Sequence, residues 1–263
     1  MMEKKYEITN ESKVFRVYDR YVQVFRIRAL KDFGDVKKGD LGGWIESEDN
    51  LSHEGNCWIY DDAIVCIMAE VRDNAKVCGT AKVYDKAQVY DKARVCGNSS
   101  VFRGAKVYEN SHVLGHATIK DFSIVHGESV ISDHAVIANY SNIFGCATVF
   151  GYAFISNYAY ICGTAEIYGY VRIERDAIIN KCSDFFVAGP IGSRDDYTTF
   201  FKNKDGVIIA STGCFTGTID EFIEAINETH KNDEMYRNSY LNLIKFIKDS
   251  WRDKNDGEEV RDN

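Results

Sequence analysis

The stretch "AKVYDKAQVYDKARVCGNSSVFRGAKVYEN", from Ala81 to Asn110, repeats a unit of six residues five times. Each unit has a valine, at positions 83, 89, 95, 101 and 107, and a small residue two places before it. The same register runs from Ile59 to Ile179, with Val or Ile at every sixth position for 21 consecutive units. A period of six is neither helical nor strictly alternating, and it is typical of a β-helix.

The repeat predicts a three-sided coil of 18 residues, so the 21 units would form seven coils. The Val and Ile side chains would point inward and stack between coils spaced roughly 4.8 Å apart. Asp, Gly or Asn usually stands two residues after the aliphatic one, as at Asp85, Gly97 and Asn139, and these residues tolerate tight corners. The predicted fold is mainly β, a single-stranded β-helix whose open ends need covers.

Val or Ile followed four residues later by Ala or Ser resembles the hexapeptide repeat of the left-handed β-helix proteins, the trimeric acyltransferase superfamily. The segment "LGGWIESEDNLSHEGNCWIYDDA", from Leu41 to Ala63, resembles an uncharacterised bacterial and phage subfamily labelled as transferases without a demonstrated reaction. The resemblance implies a homotrimer. It also implies acyl-CoA as the cofactor if the chain is an enzyme; otherwise we expect no cofactor.

The ends of the chain depart from the repeat. Residues 1–56 predict a small β-rich N-terminal cap, in which Trp44 and Trp58 close the core. Residues 57–183 form the predicted left-handed β-helix, and Pro190, the only proline, marks the end of the repeats.

Residues 184–252 predict a C-terminal ββαα module. Its hairpin turns at 204–206, and a capping box formed by Thr218 and Glu221 begins the first of its two helices. The stretches "GPIGSR", "GCFTGT" and "ETH" of this module resemble C-terminal segments that recur in phage and prophage proteins. The polar, charged composition of residues 253–263 predicts a disordered tail.

Composition restricts the possible partners. A net charge of −8 and a pI near 5.3 disfavour a nucleic-acid partner, and no basic run offsets them. No apolar run is long enough for a membrane span, and the start "MMEKKYEITN" lacks the apolar region of a signal peptide. These features predict a protein of the bacterial cytoplasm with no membrane partner.

The eight cysteines contain no CxxC pair and mostly occupy repeat positions. We therefore expect free thiols packed as small apolar groups rather than disulfides or a metal site. Cys78 and Cys96 are 18 residues apart and should be neighbours in adjacent coils, although a disulfide between them is the less favoured expectation.

The stretch "AGPIGSR" suggests an anion-binding loop. Its glycines, Gly189 and Gly192, would let backbone amides approach a ligand, Ser193 offers a hydroxyl, and Arg194 offers a bidentate donor for phosphate or carboxylate. The candidate ligand-binding residues are Gly192, Ser193, Arg194, Tyr197 and Phe215. The alternative is a plain junction between domains.

Two series of residues spaced by 18 are further candidates. Tyr90, Tyr108, His126 and Phe144 would form an apolar stripe on one face, either an oligomer interface or a surface covered by the terminal modules. If the chain is an enzyme, His116 and His134 are the catalytic candidates as general bases, and the alternative is a surface ladder.

No loop interrupts the 21 units, whereas acyltransferases of the superfamily commonly carry an inserted loop that helps to build the acyl-donor cleft. We therefore predict a non-catalytic, phage-type binding protein that captures a small anionic or nucleotide-like molecule at a cleft between subunits or domains. Sequestration of a host-defence signal is one such role. The alternatives are an acyl-CoA-dependent acyltransferase and a structural assembly protein.

Overall fold

A computed structural model describes residues 4–255. The chain begins with an antiparallel hairpin of β1 (Tyr6–Val17) and β2 (Arg20–Ala29). Strand β3 (Leu41–Ile45) pairs antiparallel with β2 and parallel with the strand Ile64–Val65, so the N-terminal cap continues directly into the solenoid. The cap is therefore β-rich, as the sequence predicts.

The 21 predicted repeats form 21 strands of two residues each, β4 to β24, in three parallel sheets. The first sheet contains Trp58–Ile59, Lys76–Val77, Arg94–Val95, His112–Val113, Val130–Ile131, Thr148–Val149 and Glu166–Ile167. The second contains Ile64–Val65, Lys82–Val83, Ser100–Val101, Thr118–Ile119, Val136–Ile137, Phe154–Ile155 and Arg172–Ile173. The third contains Glu70–Val71, Gln88–Val89, Lys106–Val107, Ile124–Val125, Asn142–Ile143, Tyr160–Ile161 and Ile178–Ile179.

Together with the partial coil that β3 begins, the solenoid has about eight turns. The second residue of every short strand points inward and is almost completely buried, and so is the small residue two places before it. Where that small residue is serine, the hydroxyl is usually bonded locally: Ser99 Oγ donates to the Cys96 carbonyl at 2.8 Å, and Ser111 Oγ to the Tyr108 carbonyl at 2.7 Å. The core therefore accepts serine without a buried unpaired hydroxyl at these positions.

The corners are held by their acidic residues. The carboxylate of Asp61 accepts from the Gly79 amide one coil on at 2.9 Å, and that of Glu109 accepts from the Gly127 amide at 2.7 Å. The same contact joins Asp133 to Gly151 at 3.1 Å. Acidic residues thus pair with backbone donors that the turn leaves without a strand partner.

The N-terminal end of the core is closed by Trp58, which is buried with Tyr6 and Ile27 and lies 5.3 Å from the Phe33 ring. The prediction for Trp44 is wrong. Trp44 packs outside the solenoid, in a separate cluster with residues of β1 and β2, and its indole N–H donates to Asp62 at 3.1 Å. Strand β3 places Trp44 outward because the next residue, Ile45, takes the inward position.

The C-terminal module contains four strands rather than two. The predicted hairpin is β26 (Asp196–Lys202) and β27 (Ile208–Thr212), with the turn at 204–206, and β25 (Phe185–Ile191) and β28 (Phe215–Thr218) flank it. The antiparallel order is β25-β26-β27-β28. Pro190 lies within β25, beyond the last repeat strand, and an edge strand tolerates a residue that lacks an N–H.

Two helices complete the module, α1 (Ile219–Thr229) and α2 (Glu234–Asn255). The predicted capping box begins α1: Thr218 Oγ1 accepts from the Glu221 amide at 3.2 Å, and Glu221 accepts from the Thr218 amide at 2.7 Å. Helix α2 continues to Asn255, into the first residues of the expected tail. The disorder predicted for the remaining residues, 256–263, lies outside the described part of the chain.

Alternation along the C-terminal sheet connects the module to the solenoid. Phe201 and Ile209 belong to the buried core of the solenoid and cover its C-terminal end. Their neighbours Phe200 and Ala210 point to the opposite face and pack with the helices. One sheet is therefore both the lid of the β-helix and the floor of the helical layer.

The expectation of free thiols is wrong for one pair. Cys78 and Cys96, neighbours in adjacent coils with Cα atoms 4.6 Å apart, are joined by a disulfide. Cys57, Cys66, Cys146, Cys162, Cys182 and Cys214 are free thiols. The in-register coils bring residues 18 positions apart within disulfide reach, so spacing alone sufficed to predict the proximity but not the bond.

The carboxylate of Glu174 forms a buried contact between the last coil and the module. It accepts hydrogen bonds from Ser156 Oγ, Arg172 Nη2 and Thr216 Oγ1, each at 3.0 Å, and the residue is 5% exposed. Burial by itself raises the pKa of this carboxyl, but the hydrogen bonds from Arg172 and Ser156 and the charge of Arg172 outweigh it. The pKa therefore lies below its usual value of 4.5.

A carboxyl whose pKa is lower in the folded than in the unfolded protein stabilises the fold above its ordinary pKa. That stabilisation is lost as the pH falls through the folded-state pKa. We expect Glu174→Gln to lower the free energy of unfolding by about 1–3 kcal/mol at neutral pH and by progressively less in acid. Urea unfolding at several pH values measures this. Glu224→Gln, at an exposed position of α1, is the control, and a difference at Glu174 that stays constant with pH would contradict the assignment.

Candidate functional site

The C-terminal module contains a cavity of about 240 Å³ between its strand ends and its helices. Three segments that are distant in sequence line it. Ser193 and Arg194 come from "GPIGSR", residues 213–215 from "GCFTGT", and Thr229 and His230 from "ETH". The three stretches that carry the phage-type resemblance of this module therefore meet at one cavity.

Aromatic rings form one wall of the cavity. The rings of Phe215 and Phe222 are stacked 5.1 Å apart, and Tyr240 meets Phe222 edge-on at 5.7 Å. The ring of His230 lies 5.8 Å from that of Tyr240 at a small angle. Such a wall suits a planar or apolar group.

Gly192 lies directly before the cavity residue Ser193, and its backbone packs tightly against Tyr240 of α2. Its φ is +81°, and a β-carbon would overlap the hydroxyl of Tyr240. That hydroxyl donates to the Ile191 carbonyl at 3.3 Å and so attaches α2 to the loop. The sequence predicts a close backbone approach at Gly192. The structure shows such an approach, and the group approached is the Tyr240 hydroxyl of the same chain.

Charges of both signs lie at the cavity. Arg194 is exposed, and no side chain of residues 4–251 pairs with its guanidinium. Burial raises the pKa of the Tyr240 phenol; the Asp196 carboxylate raises it further, whereas Arg194 lowers it. The charges of Asp196 and Arg194 therefore both act on the Tyr240 phenol. A molecule bound in the cavity would lie near a cation and an anion.

The fifth predicted ligand residue, Tyr197, lies elsewhere. Successive residues of a strand face opposite sides of a sheet, so Asp196 lines the 240 Å³ cavity while Tyr197 faces the solenoid. There Tyr197 stacks on Tyr170 at 5.3 Å and lines a second cavity of about 490 Å³. Three of the five predicted ligand residues, Ser193, Arg194 and Phe215, therefore line the first cavity, whereas Gly192 only adjoins Ser193 and Tyr197 lines the second cavity.

Sequence reasoning missed Asp196, His230 and Tyr240 as lining residues. Tyr240 stands in the middle of α2, and only the packing of that helix brings it to the loop. His230 had a signal, because it belongs to the quoted "ETH" stretch. Cys214 and His230 both line the cavity, and their side chains share no hydrogen bond with each other.

His116 and His134 stack as expected, with ring centroids 4.9 Å apart on an exposed edge. The stack continues without a break through Tyr152, Tyr170 and Tyr197. A ladder of five rings along one edge is a structural feature that needs no catalytic role. The role of the two histidines as general bases remains a prediction.

The stripe of Tyr90, Tyr108, His126 and Phe144 also stacks, with centroid distances of 4.8, 4.8 and 5.2 Å. The hairpin β1-β2 covers a different edge, where Phe15 and Tyr18 contact Tyr84. Among the described residues, no ring of either terminal module stacks on the rings of the stripe. Its use as an oligomer interface remains a prediction.

The three-sided parallel coil defines a β-solenoid of the hexapeptide-repeat type. The chain is 37% identical over 86 residues to the protein named "Uncharacterized acetyltransferase YdcK" of Escherichia coli strain K12. That alignment covers 31% of this chain and 26% of the relative, so the chain matches about a quarter of the relative's length. No protein-family model matches the chain.

The stacked coils and this partial match fit the hexapeptide-repeat, left-handed β-helix superfamily of acyltransferase-like proteins. Proteins with this fold typically form oligomers. No helix among residues 4–255 is long and apolar enough to cross a bilayer.

The geometry of Gly192 predicts a site-specific cost of substitution. We expect Gly192→Ala to lower the free energy of unfolding of the module by about 1–3 kcal/mol more than Gly206→Ala does. Both glycines have left-handed backbone, with φ of +81° and +74°, but a β-carbon at Gly206 meets open space. Thermal unfolding of both variants separates steric overlap from backbone strain, and equal losses would contradict the contact with Tyr240.

Proposed function

We propose that this chain is a ligand-binding protein that captures a small anionic molecule with a planar group, of the nucleotide type, in the cavity beside Ser193 and Arg194. The observation that carries the proposal is the convergence of the three quoted stretches on one cavity. The rings of the wall also belong to the core of the module, but packing does not require an exposed, unpaired arginine beside them.

The chemistry of the lining supports this class of ligand. The Arg194 guanidinium offers a two-point contact to phosphate or carboxylate, and the Ser193 hydroxyl can donate beside it. Phe215 and Phe222 supply an apolar wall for a ring, while Asp196 can accept from the amino groups of a heterocycle. At about 240 Å³, the cavity is below the usual range of roughly 300–1,000 Å³. It would therefore enclose one ring, with the anionic group at its mouth.

Binding without turnover fits the uninterrupted solenoid and the absence of a paired nucleophile and base at the cavity within the described residues. The biological use under this proposal is removal of a small anionic signal by stoichiometric capture. A phage-type role against host defence follows from the sequence resemblance and is part of the proposal.

A second candidate is acyl transfer from acyl-CoA. The fold and the name of the Escherichia coli relative favour it. His116 or His134 would then remove a proton from the acceptor, because both imidazoles stand exposed on the solenoid edge. The side-chain amide of Asn98, 3.2 Å from His116 Nδ1, would orient the first of them.

Calorimetry and an acetyl-CoA turnover assay separate these functions. We expect adenosine monophosphate, used as the probe, to bind the wild type and to bind Arg194→Ala roughly ten- to a hundredfold more weakly, because a charge-assisted contact is lost. Arg20→Ala, at an exposed arginine of the N-terminal hairpin, is the matched control and should bind normally. Turnover of acetyl-CoA that disappears when both His116 and His134 become Ala would instead establish the transferase.

We also propose that the stripe of Tyr90, Tyr108, His126 and Phe144 joins subunits into a homotrimer. The stripe is half-buried within its own chain, and no ring of the described terminal modules stacks on it. An aromatic stripe of this length favours burial against a partner.

Substitution of both Tyr108 and Phe144 by Lys should dissociate the oligomer, since symmetry repeats every lost contact in each subunit. Sedimentation velocity measures the state of assembly. Tyr140→Lys together with Tyr158→Lys, on another edge where both rings are more than half exposed, is the matched control and should leave assembly intact. A stripe variant that assembles as the wild type does would assign the interface to a different face.

A further inference from the structure

The second cavity, of about 490 Å³, lies between the last coil and the edge strand β25. Its lining combines Tyr168 and Tyr170 of the solenoid with Phe185, Phe186 and Val187 of β25. Among the described residues that line it, Glu166 is the only charged one. This cavity faces the solenoid and is distinct from the proposed anion site, which lies on the helical face of the same sheet.

Tyr168 is the terminal ring of a stack. It lies on Phe150 at 5.4 Å, one coil earlier, and its strand is the last of its sheet. The stack runs along the solenoid axis, so the second face of Tyr168 points to where the next coil would be, which is the cavity. Tyr168 is 59% exposed, and among the side chains of residues 4–251 no other ring or cation stacks on it.

At two other places in the chain, a guanidinium held by a carboxylate lies against the ring that ends a stack. Arg72 stands 18 residues before Tyr90, and its Cζ lies 3.9 Å from the centroid of that ring. Its Nη1 is 2.8 Å from the carboxylate of Asp73. Arg103 behaves similarly at Phe102, 5.8 Å from the ring and 3.2 Å from Asp121.

At the open end of the Phe150–Tyr168 stack, the ring and the carboxylate are both present. Glu166 and Tyr168 flank the inward-facing Ile167, so they point to the same outer side of the strand. Both line the second cavity. What the two internal examples have and this end lacks is the guanidinium.

We propose that the Glu166–Tyr168 end of the second cavity binds an arginine side chain of another polypeptide. The guanidinium would stack on the free face of Tyr168 and pair with the Glu166 carboxylate. The three methylenes of its stem would lie along Phe185, Phe186 and Val187. The net charge of −8 favours the approach of a cationic partner.

Nuclear magnetic resonance titration with N-acetyl-arginine amide tests the site. The probe should bind the wild type, and binding should weaken as the ionic strength rises, because the contact is charged. N-acetyl-citrulline amide, which is planar but uncharged, should bind at least roughly fivefold more weakly. Equal binding of the two probes would overturn the proposal.

Variants locate the contact. Tyr168→Leu and Glu166→Gln should each weaken binding roughly three- to thirtyfold, whereas Tyr168→Phe keeps the ring and should bind as the wild type does. Tyr158→Leu is the control, since Tyr158 is also 59% exposed but lies on a different edge. A wild type that does not bind the probe, or unaltered binding by both Tyr168→Leu and Glu166→Gln, would refute the assignment.

A further titration tests whether the bound arginine belongs to a polypeptide or is the free amino acid. It uses a peptide in which one arginine stands between apolar residues. This peptide should bind more tightly than the capped amino acid because β25 offers apolar surface beside the cavity. Tighter binding of free arginine than of either probe would overturn the polypeptide source. Arg194→Ala should leave all of these affinities unchanged, so failure of this site and failure of the proposed anion site can be distinguished.

Discussion

The structure depends on in-register hydrogen bonding between coils, which places every residue directly over the residue 18 positions away. Inside the solenoid this constraint stacks β-branched Val and Ile side chains on one another and leaves little empty volume. Outside, it converts any repeated choice of residue into a continuous ladder. Four features follow from it: the stacked histidines, the stripe that begins at Tyr90, the corner carboxylates and the Cys78–Cys96 disulfide.

The same constraint requires both ends to be closed, and the two closures differ. At the N-terminal end the ammonium of Lys5 is fully buried, where it donates to the Cys57 carbonyl at 2.9 Å and contacts the Cys57 thiol at 3.2 Å. Burial lowers the pKa of Lys5, the expected response of a cation removed from water. At the C-terminal end the closure is apolar, made by Phe201 and Ile209.

Prediction from the sequence succeeded where period and local chemistry decide the outcome. The register of the 21 strands, the turn at 204–206 and the capping box of α1 are all determined by neighbouring residues. It failed for Trp44 and for the extra strands β25 and β28, and it grouped Tyr197 with residues that line a different cavity. Each of these features depends on long-range contacts that decide which face of a sheet is covered. The local pattern of residues does not determine which face that is.

A regular three-sided solenoid has flat faces, so it offers a ladder of side chains but no concavity in which to enclose a molecule. Concave surface can arise only where the period ends, because there the next coil is missing and a different element takes its place. The cavities of about 240 and 490 Å³ both lie in that region, on opposite faces of one antiparallel sheet. Asp196 and Tyr197, adjacent in β26, each line one of them. The sheet that closes the core is thereby also the element that creates the binding surfaces, and the repeats upstream supply the rigid base on which it rests.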